Sequence, residues 1–214
     1  MITFPKHLLK GYNAFATQRL PAEQNRYREL SVKGQFPEVM VIGCCDSRVA
    51  PETIFDVGPG ELFVVRNIAN LVPVYQPDGN AHGVSAALEY AVTVLKVKHI
   101  VVLGHAQCGG IRAFVDKIEP LTPGDFIGKW MQMFIKPGEV VEQRGHESMA
   151  QFVERIEKAA VFRSLENLMT FPFVRKAVEN GQMQLHGAYF GVAEGTLFVL
   201  DQGSKEFKSA RSVV

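Results

Sequence analysis

Three short aliphatic runs dominate the first half of the chain: Val39-Met40-Val41-Ile42-Gly43, Leu62-Phe63-Val64-Val65 and Ile100-Val101-Val102-Leu103-Gly104. Each is too short for a helix and rich in β-branched residues, so each reads as a strand buried on both faces. Strands of that kind belong in a parallel sheet, whose connections must cross over through helices. Between the second and third runs, Gly83 to Lys96 places Val84, Leu88, Ala91, Val92 and Leu95 on one helical face. Strand, helix and strand then make a right-handed βαβ crossover.

The flanking segments complete an α/β reading. Residues 7–33 carry apolar and charged positions at helical spacing and stop at Gly34 and Pro37, as an amphipathic helical arm would. Residues 147–181 are helical in pattern, with a break at Phe171-Pro172. Gln184 to Phe190 and Thr196 to Leu200 flank the turn-forming Glu194-Gly195 and predict a hairpin added to the sheet edge. The expected fold is a single α/β domain of 214 residues: a mainly parallel central sheet flanked by helices, with an N-terminal helical arm and a C-terminal edge hairpin. The stretch 119–139, with its prolines and glycines, is the least regular and reads as an insertion over one face.

Charge excludes some function classes. A formal net charge of +1 sets up no field for nucleic acid or an anionic membrane. No run approaches the ~18 apolar residues of a membrane span. The N-terminus lacks the apolar run and cleavage site of a signal peptide, which predicts a cytoplasmic protein. Three cysteines, two of them adjacent, do not make a disulfide framework. In a reducing compartment, ordered cysteines point instead to metal or catalysis.

Two clusters of such residues follow predicted strands: Gly43-Cys44-Cys45-Asp46-Ser47-Arg48 after the first, and His105-Ala106-Gln107-Cys108-Gly109-Gly110 after the third. The carboxyl ends of parallel strands are where open α/β sheets bind ligands, so the clusters can converge. Thiolate, imidazole and thiolate suit zinc, and three protein ligands leave a fourth position for water. Taken singly, a cysteine pair is a small buried hydrophobe and a lone histidine a satisfied core residue. Their joint occurrence with Asp46 and Arg48, a natural carboxylate–guanidinium fork, favours a site.

These motifs resemble those of the β-class carbonic anhydrases, in their plant-type subgroup. Cys44-Cys45-Asp46-Ser47-Arg48 matches the family's Cys-x-Asp-Ser-Arg, and His105 with Cys108 matches its His-x-x-Cys. Pro59 to Asn70, Leu168 to Arg175 and Leu185-His186-Gly187 fit its other signatures. The resemblance implies one Zn2+ per chain held by Cys44, His105 and Cys108, and hydration of carbon dioxide to bicarbonate by a zinc-bound hydroxide. It makes Asp46 and Arg48 catalytic, with Arg48 holding Asp46 off the metal. It places Gln35, Phe63, Ile68, Tyr90 and Gly109 around the substrate. It implies a homodimer or higher homo-oligomer with shared sites, and no nucleic-acid or membrane partner. The domain, 1–214, then divides into the arm (1–35), a zinc-site core (36–118), a variable insertion (119–145) and C-terminal helices and strands (146–214).

Val41 stands where a bicarbonate-inhibited subgroup carries tryptophan, so an open site without that anion pocket is expected. Cys45 reads as a buried strand-end residue. His7, His82, His99, His146 and His186 have no second ligand at metal-like spacing; only His82 is a candidate proton shuttle. Three rivals remain at this point: hydrolysis of carbon disulfide or carbonyl sulfide on the same scaffold, a noncatalytic zinc-binding assembly protein, and a nucleotide module built on Gly109-Gly110. The last lacks a full phosphate-loop pattern.

Overall fold

The computed structural model of the chain describes residues 3–116, 124–135 and 141–212. Among the described residues six strands form one sheet: β1 (Val39–Cys44), β2 (Leu62–Asn67), β3 (His99–His105), β4 (Gln184–Gly191), β5 (Thr196–Leu200) and β6 (Phe207–Ser209), in the spatial order β2-β1-β3-β4-β5-β6. The first four are parallel; β5 and β6 run antiparallel to their neighbours. The three aliphatic runs are thus the three adjacent strands at one side of the sheet. The crossover from β2 to β3 uses α4 (Gly83–Glu89) and a π-helical turn, Tyr90–Leu95, and steps over β1, which pairs with both strands.

The alternation of side chains along each strand separates two faces. Met40, Ile42, Ile100 and Val102 are fully buried against Leu88 and Ala91 of the crossover and against Val161, Leu168, Phe171 and Val174. The last four belong to α7 (Met149–Leu168), α8 (Pro172–Glu179) and the link between them. Each of these side chains other than Ala91 contributes about 1.5–3 kcal/mol by leaving water. On the opposite face Val41, Leu103 and Ala188 are buried, but Val39, Leu62, Val64, Val101 and Leu197 are only half-covered.

The expected helix break is present. Ser148 and Gln151 close a capping box at the start of α7, and Phe171, in extended conformation, precedes Pro172 at the first position of α8. The hairpin of β4 and β5 also forms, but it is not the sheet edge. The three residues of β6 add outside it, and Phe207-Lys208-Ser209 is too short and polar to announce a strand.

The arm is helical from α1 (Lys6–Ala14) through a π-helical turn, Phe15–Arg19, to α2 (Leu20–Lys33), and none of the residues in these helices is buried. It touches the body through Arg26, which donates to the carbonyl of Pro59 at 3.3 Å, and through Leu30, whose side chain lies against Gly60. Between β1 and β2 lies one turn of helix, α3 (Pro51–Ile54). Beyond β3 come α5 (Gly109–Val115) and α6 (Phe126–Gln132). Residues 117–123 and 136–140 of the stretch read as an insertion lie outside the described residues. Ile111, Met131 and Phe134, with Phe152, Val153, Ile156 and Ala160 of α7, form a second apolar cluster that packs on Cys44 and Cys108.

Candidate metal centre

Cys44 ends β1, His105 ends the adjacent parallel β3, and Cys108 caps the start of α5. Parallel pairing therefore brings the two clusters to one sheet end. Their ligand atoms all lie within 4.8 Å of one another, with the Cys44 and Cys108 sulfurs 3.9 Å apart. Two thiolates on a tetrahedral zinc, at bonds of ~2.3 Å, stand about 3.8 Å apart. All three residues are buried, at 4%, 1% and 1% exposure. His105 Nδ1 donates to the carbonyl of Ala106 at 2.9 Å, which leaves the lone pair on Nε2. That nitrogen is buried and has no hydrogen-bond partner among the described residues. An orphaned buried acceptor costs about 1–3 kcal/mol, and here it faces two sulfurs. The donor set fits a zinc ion.

Close approach is built in. A Cβ on Gly104 would stand 2.7 Å from a methyl of Val161, and one on Gly110 would stand 2.6 Å from a methyl of Ile68. Glycine at these two places lets α7 and the loop after β2 press against the ligand loop. The two thiols act as a pair. The Cys108 hydrogen bond lowers Cys44, and the same bond together with burial raises Cys108. The backbone N–H groups of Ile111 and Gly110 bond to the Cys108 sulfur and favour its thiolate, as a helix N-terminus does.

Asp46 and Arg48 form the expected fork. Nε and Nη2 of Arg48 donate to the two carboxylate oxygens at 2.9 and 2.7 Å, and the Arg48 backbone N–H adds a third bond at 3.0 Å. The fork holds Asp46 well below the usual carboxylate range. Arg48 also donates to the Gln107 carbonyl at 3.1 Å, tying the two ligand loops together. Gln107 adopts a left-handed φ of 58°, which aims that carbonyl.

Four contributors escaped the sequence reading: Gln107, Arg66, Glu157 and Tyr189. Arg66 of β2 donates to the carbonyls of Cys44 at 2.7 Å and Asp46 at 2.6 Å, and so fixes the backbone that carries the first ligand. Glu157 of α7 is 3% exposed; it accepts the Cys108 N–H at 2.8 Å and the Tyr189 hydroxyl at 2.7 Å. Burial pushes its carboxyl up, against those two bonds. A signal for it existed, because Glu157 interrupts the buried stripe of Val153, Ile156, Ala160 and Val161. Glu157→Ala should orphan both donors and destabilise the fold by about 2–5 kcal/mol. It should also release zinc to a chelator about 10–100 times faster. Urea unfolding and a chelator-exchange assay measure the two effects; an unchanged release rate would confine Glu157 to packing.

The remaining predicted residues divide. Ile68 and Gly109 lie beside the ligand loops, and the Ile68 carbonyl accepts the Trp130 indole N–H at 2.8 Å. Phe63, Tyr90 and Gln35 do not join them. Phe63 pairs with Met40, four strand residues before the Asn67 that pairs with Cys44, a separation of roughly 13 Å. Its ring lies 5.9 Å from that of Tyr90, and Gln35 precedes β1 at the same far end of the sheet. Cys45 is exposed rather than buried: its N–H pairs with the Asn67 carbonyl, and alternation turns its side chain away from that of Cys44. His82 pairs with Asp78 at 2.8 Å in the loop before α4.

Comparison with known proteins accords with this geometry. The family model described as carbonic anhydrase matches residues 39–197, the span from β1 into β5. Beta carbonic anhydrase 3 of Arabidopsis thaliana is 37% identical over 195 residues, covering 89% of this chain and 74% of the relative. Among solved structures, the β-carbonic anhydrase CcaA superposes with a TM-score of 0.85 at 26% identity, over 95% of this chain and 91% of that one. A tetrameric β-carbonic anhydrase from Sordaria macrospora gives 0.75 at 30% identity, over 91% and 95%. Sequence and fold agree over nearly the whole length, and the chain belongs to the β-carbonic anhydrase family as a carbonic anhydrase.

Proposed function

We propose that the chain binds one Zn2+ through Cys44, His105 and Cys108 and catalyses the reversible hydration of carbon dioxide to bicarbonate and a proton, as a plant-type member of its family. The observation that carries this reading is the buried, unpartnered Nε2 of His105 facing two sulfurs 3.9 Å apart. When bound, zinc supplies a Lewis acid that brings the pKa of a coordinated water toward neutrality. Asp46, held ionised by Arg48, accepts a hydrogen bond and orients the attacking water. Arg48 occupies both carboxylate oxygens and so keeps Asp46 from closing the open position. Ile68 contributes apolar surface beside the apolar substrate, and the Gly109 N–H, in the first turn of α5, is a donor for a product oxygen. Zinc content per chain and stopped-flow hydration of carbon dioxide by the purified protein test the reading together.

A second copy of the chain supplies the rest. Gln35, Phe63 and Tyr90 sit at the far end of the sheet from their own ligands, and Tyr90 is 45% exposed. The arm leaves Phe4, Leu8, Leu9 and Tyr12 open, Tyr12 at 63%. Apolar surface of this extent marks an association face. We assign Gln35, Phe63 and Tyr90 to the partner's site across a two-fold interface. Co-refolding Gln35→Ala with Cys108→Ser, each nearly inactive alone, should restore about a quarter of wild-type activity, since half the dimers are mixed and each holds one intact site. Activity that stays at the level of the unmixed variants would mean that each chain builds its own pocket.

A further inference from the structure

His99 and His186 are 87 residues apart, yet β3 and β4 place them on the same sheet face at the strand starts, the end opposite the proposed zinc centre. His99 Nδ1 and His186 Nε2 lie 3.1 Å apart, with ring centroids at 5.2 Å. Both rings are half-buried, on the face that His99 shares with Val101 and His186 with Ala188, which is only partly covered. We propose that this pair is a second metal site, for a divalent transition ion of the nickel or copper class.

The geometry and the tautomers both support it. With nitrogen–metal bonds of about 2.0–2.1 Å, a 3.1 Å nitrogen separation corresponds to a ligand–metal–ligand angle near 100°. That angle suits two adjacent positions of a tetragonal ion and is tight for a tetrahedral one. As the pair stands, one ring donates to the other through the facing nitrogens. Neither outward nitrogen, His99 Nε2 nor His186 Nδ1, has a hydrogen-bond partner among the described residues, and neither is a buried orphan. A neutral ring can therefore carry its proton outward to solvent, which frees both facing lone pairs for the ion without loss of a proton. Gln184 is directly opposite His99 in register and shares the face of His186, so its amide oxygen is within the local set of further ligands. Solvent water completes the coordination.

The test uses zinc-loaded protein and Ni2+, which the exposed Cys45 thiol does not reduce. Wild type should take up one Ni2+ beyond its zinc by calorimetry. Its proton spectrum should gain two exchangeable, hyperfine-shifted imidazole N–H signals, one from each outward nitrogen. His99→Gln and His186→Gln should each weaken uptake at least about tenfold and remove a signal, with zinc content and carbon dioxide hydration unchanged. No uptake by wild type, uptake without two shifted imidazole protons, or equal uptake by both variants would overturn the assignment.

Discussion

Cys108→Ser is expected to empty the chain of zinc and to lower carbon dioxide hydration at least about a thousandfold. Serine is nearly isosteric, so the cost lies in the donor. A hydroxyl at this position would have to ionise far above neutral pH to replace a thiolate, and the His105–Cys108 segment would then offer His105 as its one good ligand instead of two. The Cys44 sulfur would face a poor donor across the present 3.9 Å gap, and the buried Nε2 of His105 would keep its need for a partner. Elemental analysis of protein purified without chelator, alongside stopped-flow hydration, measures both effects. Stoichiometric zinc with near-normal turnover in the variant would remove Cys108 from the ligand set. Far-UV dichroism distinguishes loss of metal from loss of fold, since Cys108 also packs among Ile111 and Met131.

Arg48→Ala should separate the two properties that Cys108→Ser loses together. The variant retains zinc, because Arg48 touches no ligand side chain, but activity falls about 10²–10³-fold. The guanidinium donates three of its bonds to Asp46 and to the Gln107 carbonyl at 2.7–3.1 Å. Without it, Asp46 is free to swing onto the open metal position and to lose its role in orienting water. Arg48→Lys should rescue little, since an ammonium cannot span both carboxylate oxygens and the carbonyl. Cobalt-substituted protein provides a readout independent of turnover: an added carboxylate ligand shifts the visible bands. Spectra and rates matching wild type would show that Asp46 keeps its place unaided.

Much of the centre was legible because its parts are local. The His-x-x-Cys spacing needs only one turn of chain, and the Asp46–Arg48 fork spans two residues. The strands that carry them were legible as apolar runs closed by glycine. Arg66 was harder to read. Its charge interrupts β2, but its partners are backbone carbonyls, which leave no trace in side-chain chemistry. The exposure of Cys45 follows from alternation after Cys44, whereas adjacency in sequence suggested shared burial. The strand β6 depends on pairing with β5, and its own residues say little.

What the chain determines by itself is therefore short in range: period-two burial, helix stops at Gly34 and Phe171-Pro172, and ligand residues at strand ends. The tertiary structure decided the order β2-β1-β3-β4, and with it every long-range meeting. Cys44 reaches Cys108 across 64 residues, Glu157 reaches the Cys108 amide across 49, and His99 reaches His186 across 87. Strand neighbours and register place these atoms, and both emerge from packing many side chains at once. A local pattern names the donors; only the packed sheet sets which donors face each other.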